Sequence, residues 1–483
     1  VAFVLLVTAN GAGYRYGVSD QAAYVPLVVR AGNAAAFPRD APLLDTQGRL
    51  FVIDQILAGV GAVTGASTES LFFGAYLISL VLVFAGIISI GTALYPSWWL
   101  TATLGALVTL RHHIPRTSVN SVEPYFHPRV MALGLGLLAV GAFLRGRAWR
   151  AVMFVAIAAV CHLTTALWLT LMIGTGLATL DSRWRRAVFV GALAAAGVLA
   201  WMATTGPLHA ASPMMDAVWQ EGLGNRNFLF ANEWPFWAWM ANLGLLGALW
   251  WAQTARARHG LATPRDAALA WGATALVALF LITLPFVAAR MALAAQFQIS
   301  RVFWLVDTLL AVYGVAAIGE RLTRRGMATF AMIVLLGSTA RAVYIVGHEH
   351  AERSLFQLAL PESPWLDAMR WIAQQPLDAF VLADPGHAFK YGASVRVAAE
   401  RDVLLEDDKD SSMALYSRDI AVRVVERRKA LDGFESLTVD RVRALASRYG
   451  LTLLVTDTAL DLPEVYRNAR FRIYALKPAG PAS

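Results

Sequence analysis

The sequence predicts an α-helical polytopic membrane protein of about 10–12 spans, one of them a broken hairpin, followed by a small α/β domain. Three observations predict this. Hydrophobic residues make up 57% of the chain and charged residues only 15%, with a mean hydropathy of +0.53, outside the range of a soluble globular domain. Apolar stretches approaching the roughly 20 residues that cross a bilayer recur at about 69–93, 97–112, 129–144, 151–180, 187–205, 234–252, 267–289, 301–319 and 327–346. From Pro361 onward charges become frequent and apolar runs shrink.

The opening stretch 1–9 is apolar but too short to span. It lacks the basic n-region and small-residue cleavage site of a signal peptide, and is expected to be the remnant of a first helix. The loop 11–50 follows, unusually long and carboxylate-bearing for a position so near the first span. The expected division is a transmembrane domain over 1–347, including this loop, and a soluble domain over 348–483. Cys161 is the single cysteine, which excludes an intrachain disulfide framework. The net charge of +8 does not point to nucleic acid, because the clustered arginines sit at the ends of apolar stretches.

Those clusters set the topology. Arg145, Arg147 and Arg150; Arg183, Arg185 and Arg186; Arg256, Arg258 and Arg265; and Arg321, Arg324 and Arg325 all belong on the cytoplasmic side by the positive-inside rule. An even number of spans must then separate successive clusters. Only one apolar run, 151–180, lies between the first and second, so a break at Cys161-His162 giving two antiparallel halves is expected. A single long tilted helix, with one exception to the rule, is the alternative. The outer face then collects 11–50, 111–128, 206–233, 290–300 and everything after about 347.

In the C-terminal segment, helical periodicity covers 365–374, 411–431 and 439–449, while 379–383, 395–398, 403–405, 451–456 and 471–476 read as short strands. No GxGxxG or Walker loop occurs, so a nucleotide site is not indicated. The acidic run Glu406-Asp407-Asp408-Lys409-Asp410 has the oxygen donors of a divalent-cation site, but no glycine to turn a calcium loop. A solvated loop is expected there.

Asp20, after the N-cap candidate Ser19, is expected in the first turn of a helix running toward Arg30. It is either a carboxylate stabilised by the helix dipole or a general base aimed into an outward cavity. Asp40, in Phe37-Pro38-Arg39-Asp40, is a second candidate. The loop 111–128 brings Glu123, His127 and Arg129 to the head of the next helix, where arginine's fork of donors suits phosphate. Inside apolar spans, polar groups tend to face the bundle interior. His162 is expected to cap the hairpin turn, and Arg301, with Arg290, is placed to neutralise a lipid-linked phosphate. The stretch 219–237 sets Arg226 and several amides among aromatics, a composition shared by carbohydrate-stacking loops and interfacial aromatic belts.

This pattern resembles the GT-C superfamily of membrane glycosyltransferases. It is similar in particular to a group of bacterial membrane proteins whose first loop reads like Ser19-Asp20-Gln21-Ala22-Ala23-Tyr24-Val25-Pro26-Leu27 followed by Phe37-Pro38-Arg39-Asp40. Later features of that group resemble His162-Leu163-Thr164-Thr165 and a tail with Trp365 and Trp371. The resemblance implies that Asp20 is the loop carboxylate serving as base or metal ligand and that Arg301 is a donor-phosphate contact. Beside it, the residues themselves offer Asp40 and Glu123 as further catalytic candidates and Tyr24, His127, Arg129, His162, Arg226 and Arg290 as candidate substrate contacts. The Trp-Trp-Asp signature of oligosaccharyltransferases is missing, which weighs against peptide glycosylation.

The expected function is transfer of a sugar from a polyprenyl-phosphate donor to a glycan, lipid or protein acceptor. The protein is expected in the bacterial inner membrane, its C-terminal domain periplasmic or extracellular. Membrane lipids are the other expected partners, nucleic acid is not one, and a divalent cation is an open cofactor. The alternatives are a transporter or flippase of lipid-linked glycans, and a non-catalytic GT-C scaffold in envelope assembly.

Overall fold

The computed structural model describes residues 1–48, 52–206, 208–209 and 213–476. The last residues of the expected loop 11–50, part of 206–233 and the extreme end of 348–483 fall outside them. The fold is the expected helical membrane architecture with a small C-terminal sheet. Among the described residues, six helical runs are long and apolar enough to cross a membrane: Thr68–Leu94, Leu163–Leu180, Ser182–Thr204, Pro264–Ala288, Ala292–Gly319 and Arg324–Glu349. Shorter apolar helices cover Ile53–Thr64, Trp98–Val108, Pro128–Leu144 and Ala148–Cys161. The expected span at 234–252 is the helix Phe236–Arg258, which buries Asn242, Gln253 and Arg256. Its polar side chains hold it outside the most apolar group.

The chain divides into two compact units: Val1–Tyr14, Gly74–Met214 and Arg226–Phe356 form the first, and Arg15–Phe73, Met215–Asn225 and Gln357–Ser483 the second. This differs from a division at 347/348. The long first loop clusters with the C-terminal segment, because its side chains are claimed by buried groups there.

In the first unit, the hairpin inferred from charge is present. Helix Ala148–Cys161 ends and Leu163–Leu180 begins at a single extended residue, His162 (φ −156°, ψ 101°). The ring of Trp149, at the start of the first half, lies 5.0 Å from that of Trp184, just past the end of the second. The chain must therefore rise and return. His162 caps the return helix, its side chain accepting from the Thr165 amide at 3.2 Å.

The same contact begins a series that gathers all the arginine clusters at one end. Trp149 and Trp184 join the first cluster to the second. A Cβ on Gly146 would fall 2.6 Å from Arg265 Nη2, which joins the first to the third. Arg256 donates to Glu320 at 2.8 Å and to Asp266 at 3.1 Å, which joins the third to the helix end preceding Arg321. Burying Arg256 between two carboxylates satisfies a charge that lipid would not solvate.

In the second unit, a five-stranded sheet runs Asp402–Val403, Phe380–Leu382, Leu453–Thr456, Arg472–Ala475, Glu464–Arg467 in spatial order. The first three strands are parallel and the last two antiparallel. The core pairs these strands with Trp365, Met369 and Ile372 of helix Pro364–Ala373. Helix Val439–Tyr449 matches its expected range. Residues 395–398 do not: Val-Arg-Val has strand character, yet Ser394 accepts from the Arg396 amide at 3.1 Å and the segment is a helical turn. The strand Glu464–Arg467 was not expected, having little apolar alternation to mark it. The helix expected over 411–431 is broken into Asp407–Met413, a 3₁₀ turn Ala414–Tyr416, and Arg418–Ala430.

Candidate functional site

The residues singled out in the sequence fall into two groups, one in each unit. In the second unit Asp20 occupies the N-cap position of helix Gln21–Gly32, one residue later than Ser19, which instead takes a left-handed conformation (φ 52°). The Asp20 side chain is 40% exposed, with Lys409 Nζ 3.6 Å from its Oδ1. Tyr24, one turn on, is buried.

Asp40 has a different role from the one expected. It is fully buried and receives hydrogen bonds from Arg396 Nε at 2.8 Å, from the Val403 amide at 3.2 Å and from Arg423. The amides of Arg39 and Asp40 in turn donate to Asp402 at 2.9 and 3.0 Å. The Pro38-Arg39-Asp40 motif is thus a plug in the α/β domain. Burial raises the carboxyl, but Arg396 and Arg423 outweigh it and hold Asp40 below the usual carboxylate range. A carboxylate without solvent access and committed to two guanidinium groups is a poor general base. These contacts give Asp40 a structural part, and no catalytic one is proposed for it.

The acidic run is also corrected. Glu406 and Asp410 are buried and Lys409 nearly so, with Asp410 accepting from Arg396 at 2.6 and 3.2 Å and Asp407 from Arg428 Nε at 2.8 Å. Asp407 and Asp410 are spent on arginines and Asp408 lies 3.2 Å from Lys409 Nζ, so the run does not converge on an ion. Among the described residues no three His, Cys, Asp or Glu side chains gather as a metal-binding set. Lys409, which no local pattern marks out, lies 3.6 Å from Asp20. Burial lowers its pKa, but Asp20 and Asp408 prevail and raise it, so it stays cationic.

Glu406 yields a pH prediction. Burial pushes it up to about 7, against the opposing pull of Arg396. The folded state therefore holds a proton that the unfolded chain releases near 4.5, and this group lowers stability as pH rises from 4.5 through 7. The contribution is roughly 3 kcal/mol. Asp402, raised by burial and by Asp40 to about 6, acts in the same sense. His387, lowered by burial to about 4, acts in the opposite one, its contribution being lost as pH falls from 6.5. Glu406→Gln isolates the first effect. Denaturant unfolding of the variant and the parent should coincide near pH 4.5, with the variant the more stable by pH 7.5. Parallel pH curves contradict the assignment.

In the first unit Glu123, His127, Arg129, His162 and Arg301 converge. His127 caps helix Pro128–Leu144, its Nδ1 accepting from the Arg129 amide at 3.2 Å. Its ring lies 6.0 Å from that of His162. Arg129 and Arg301 are both close enough to act on His162 electrostatically. Glu123 is 2% exposed, accepts from Arg129 and from Asn120 at 3.0 Å, and has Arg111 3.7 Å away. That makes Glu123 an anchor for the loop and a partner for Arg129 rather than a free acid. Arg301 ends a 3₁₀ turn Ile299–Arg301 leading into helix Val302–Gly319. His127 and His162 sit at the helix ends remote from Arg145 and Trp184, so this cluster lies at the opposite end of the unit from the arginine clusters. His127, Arg129 and His162 are buried and Arg129 is paired with Glu123, so the cluster sets guanidinium and imidazole groups at one end of an apolar bundle, chemistry suited to an anionic head group.

Arg290 stands apart. It adopts φ 61° just past helix Pro264–Ala288, lies 3.8 Å over the Phe230 ring and pairs with Glu233. Arg226 opens the 3₁₀ turn Asn227–Leu229. The aromatics around it do not form an open stacking face: Trp219, Phe230 and Trp234 are buried. Trp219 donates to the Ala414 carbonyl at 2.8 Å, and Trp234 stacks on Phe280. Phe236 and Trp237 are exposed at the head of helix Phe236–Arg258, the position of an interfacial belt.

No protein-family model and no curated protein matches the chain. Among solved structures it is similar to the arabinofuranosyltransferase AftD from Mycobacteria, at 15% identity and a TM-score of 0.46, covering 99% of this chain and 39% of that one. It is also similar to the archaeal oligosaccharyltransferase AglB from Archaeoglobus fulgidus, solved with an inhibitory peptide and a dolichol-phosphate, at 11% identity and a TM-score of 0.40, covering 94% and 69%. The chain thus spans well under half the length of the first of these proteins, and no residue role is carried over from either.

Proposed function

We propose that this protein is a membrane glycosyltransferase that takes a sugar from a polyprenyl-phosphate donor on the face opposite its arginine clusters. The observation that carries the reading is the gathering of Arg129, Arg301, His127 and His162 at one end of an apolar bundle. Ionisable groups at such a position are costly and mark sites of function. Guanidinium and imidazole donors suit a phosphate whose charge grows as the sugar departs. By the positive-inside rule the arginine end is cytoplasmic, so the cluster and the transfer it serves belong to the exoplasmic side.

Asp20 is the carboxylate assigned to activate the acceptor hydroxyl. Its side chain is 40% exposed, whereas that of Asp40 is fully buried against Arg396. In an inverting transfer the acceptor oxygen would attack the anomeric carbon, a carboxylate such as Asp20 would take its proton, and the polyprenyl phosphate would leave with the bonding electron pair.

Donor binding tests the phosphate assignment. Arg301→Gln in nanodiscs should weaken binding of a polyprenyl monophosphate by roughly tenfold or more, the worth of a charge-assisted hydrogen bond. Binding of the dephosphorylated polyprenol should be unaffected. Equal affinity of parent and variant for the phosphate overturns it.

A further inference from the structure

The α/β domain carries a crevice that the proposed transfer site does not use. Strand Phe380–Leu382 has Asp402–Val403 on one side and Leu453–Thr456 on the other, both parallel to it. The chain leaves the central strand toward the first neighbour, and the next parallel strand is added on the far side. The loops leaving Phe380–Leu382 and Leu453–Thr456 therefore part from one another at their carboxyl ends. Open α/β sheets bind ligands at such switch points.

A cavity of about 340 Å³ lies there, within the size range of small-molecule sites. Asp384, Lys390 and Tyr391 come from the loop after the central strand, Thr456 and Asp457 from the end of its parallel neighbour, and Phe434 and Glu435 from a 3₁₀ turn beside them. Tyr391 is a fixed platform: its ring packs 4.8 Å from Trp365 and 4.9 Å from Phe471. Lys390 is held between Asp384 at 2.8 Å and Glu435 at 2.6 Å. Its charge is thereby consumed within the wall. With three carboxylates to one ammonium the lining is net acidic, which repels phosphates and carboxylates. The Tyr391 ring also carries the Arg470 guanidinium, 5.0 Å from its centre, which leaves Phe434 as the apolar surface; carboxylates that accept paired hydroxyl donors, a threonine hydroxyl and that ring match an uncharged polyol ring.

We infer that this crevice binds a neutral saccharide, separately from the donor phosphate. The site recognises hydroxyl groups through Asp457 and Thr456 and the apolar face of a sugar ring through Phe434.

Saturation-transfer NMR on the full chain in nanodiscs tests this with a panel of methyl glycosides of pentoses and hexoses, without donor lipid. At least one glycoside should bind, and Asp457→Asn and Phe434→Ala should each weaken it about tenfold or more. Asp457 is exposed and Phe434 half-buried, so thermal unfolding of Asp457→Asn should be unchanged and that of Phe434→Ala is measured beside the binding. Putrescine and inorganic phosphate serve as cationic and anionic controls. The inference is overturned if no glycoside binds, if binding survives both substitutions, or if putrescine alone binds. Because neither donor nor turnover enters the measurement, its failure leaves the transfer reaction to be judged separately.

Discussion

Replacing Arg396 with methionine is expected to destabilise the second unit by about 3–5 kcal/mol, the cost of breaking a buried ion pair by removing one partner. Arg396 is 2% exposed. It donates to Asp40 at 2.8 Å and to Asp410 at 2.6 and 3.2 Å, with Glu406 3.7 Å away. Methionine fills much of the same volume but leaves two carboxylates without their counter-charge in a site that water does not reach. A triple variant, Arg396→Met with Asp40→Asn and Asp410→Asn, should recover a large part of the loss, since neutral groups in place of a buried pair are often tolerated. Denaturant unfolding in detergent checks both. An Arg396→Met protein within about 1 kcal/mol of the parent shows that the network does not hold the first loop to the α/β domain as described.

Asp20→Asn carries the largest expected effect on function. Removing a general base slows its step by roughly 10²–10⁴, and asparagine keeps the size and one acceptor of the side chain. The loss should appear in kcat, with donor affinity unchanged, because the assigned phosphate contacts belong to other residues. Asp40→Asn should behave differently. It should lower stability with activity per folded molecule retained, since Asp40 has no exposed surface. Loss of activity in Asp40→Asn at full stability reverses the two assignments.

What was legible in the sequence followed from local signals. Apolar length marked the spans, and arginine counting alone located the break at His162, because a straight helix from Arg150 to Arg183 left one cluster on the wrong side. The helix 439–449 was marked by a threonine cap and a strong apolar stripe. Long-range pairing was not legible. Nothing near Asp40 announces that its partner Arg396 lies 356 residues away, and the charged run at 406–410 reads as solvated until its arginines are brought to it. The same holds for Val395–Ala398, where valine's preference for strands is overridden by Ser394 capping a turn that aims Arg396 inward. The site cluster was half legible. His162 and Arg301 stood out as costly in an apolar setting and His127 and Arg129 as titratable groups at the head of a helix, but their convergence comes from the hairpin and the helix ends that carry them.

The central claim is that a sugar is transferred from a lipid phosphate, and release of polyprenyl phosphate tests it most directly. Reconstituted protein would be given a panel of radiolabelled polyprenyl-phosphate sugars with a mixed glycan and lipid acceptor fraction. Release of polyprenyl phosphate is expected with one donor, abolished by Asp20→Asn and reduced by Arg301→Gln. Label that crosses the bilayer still attached to its lipid, or release that persists in Asp20→Asn at the parent rate, contradicts it.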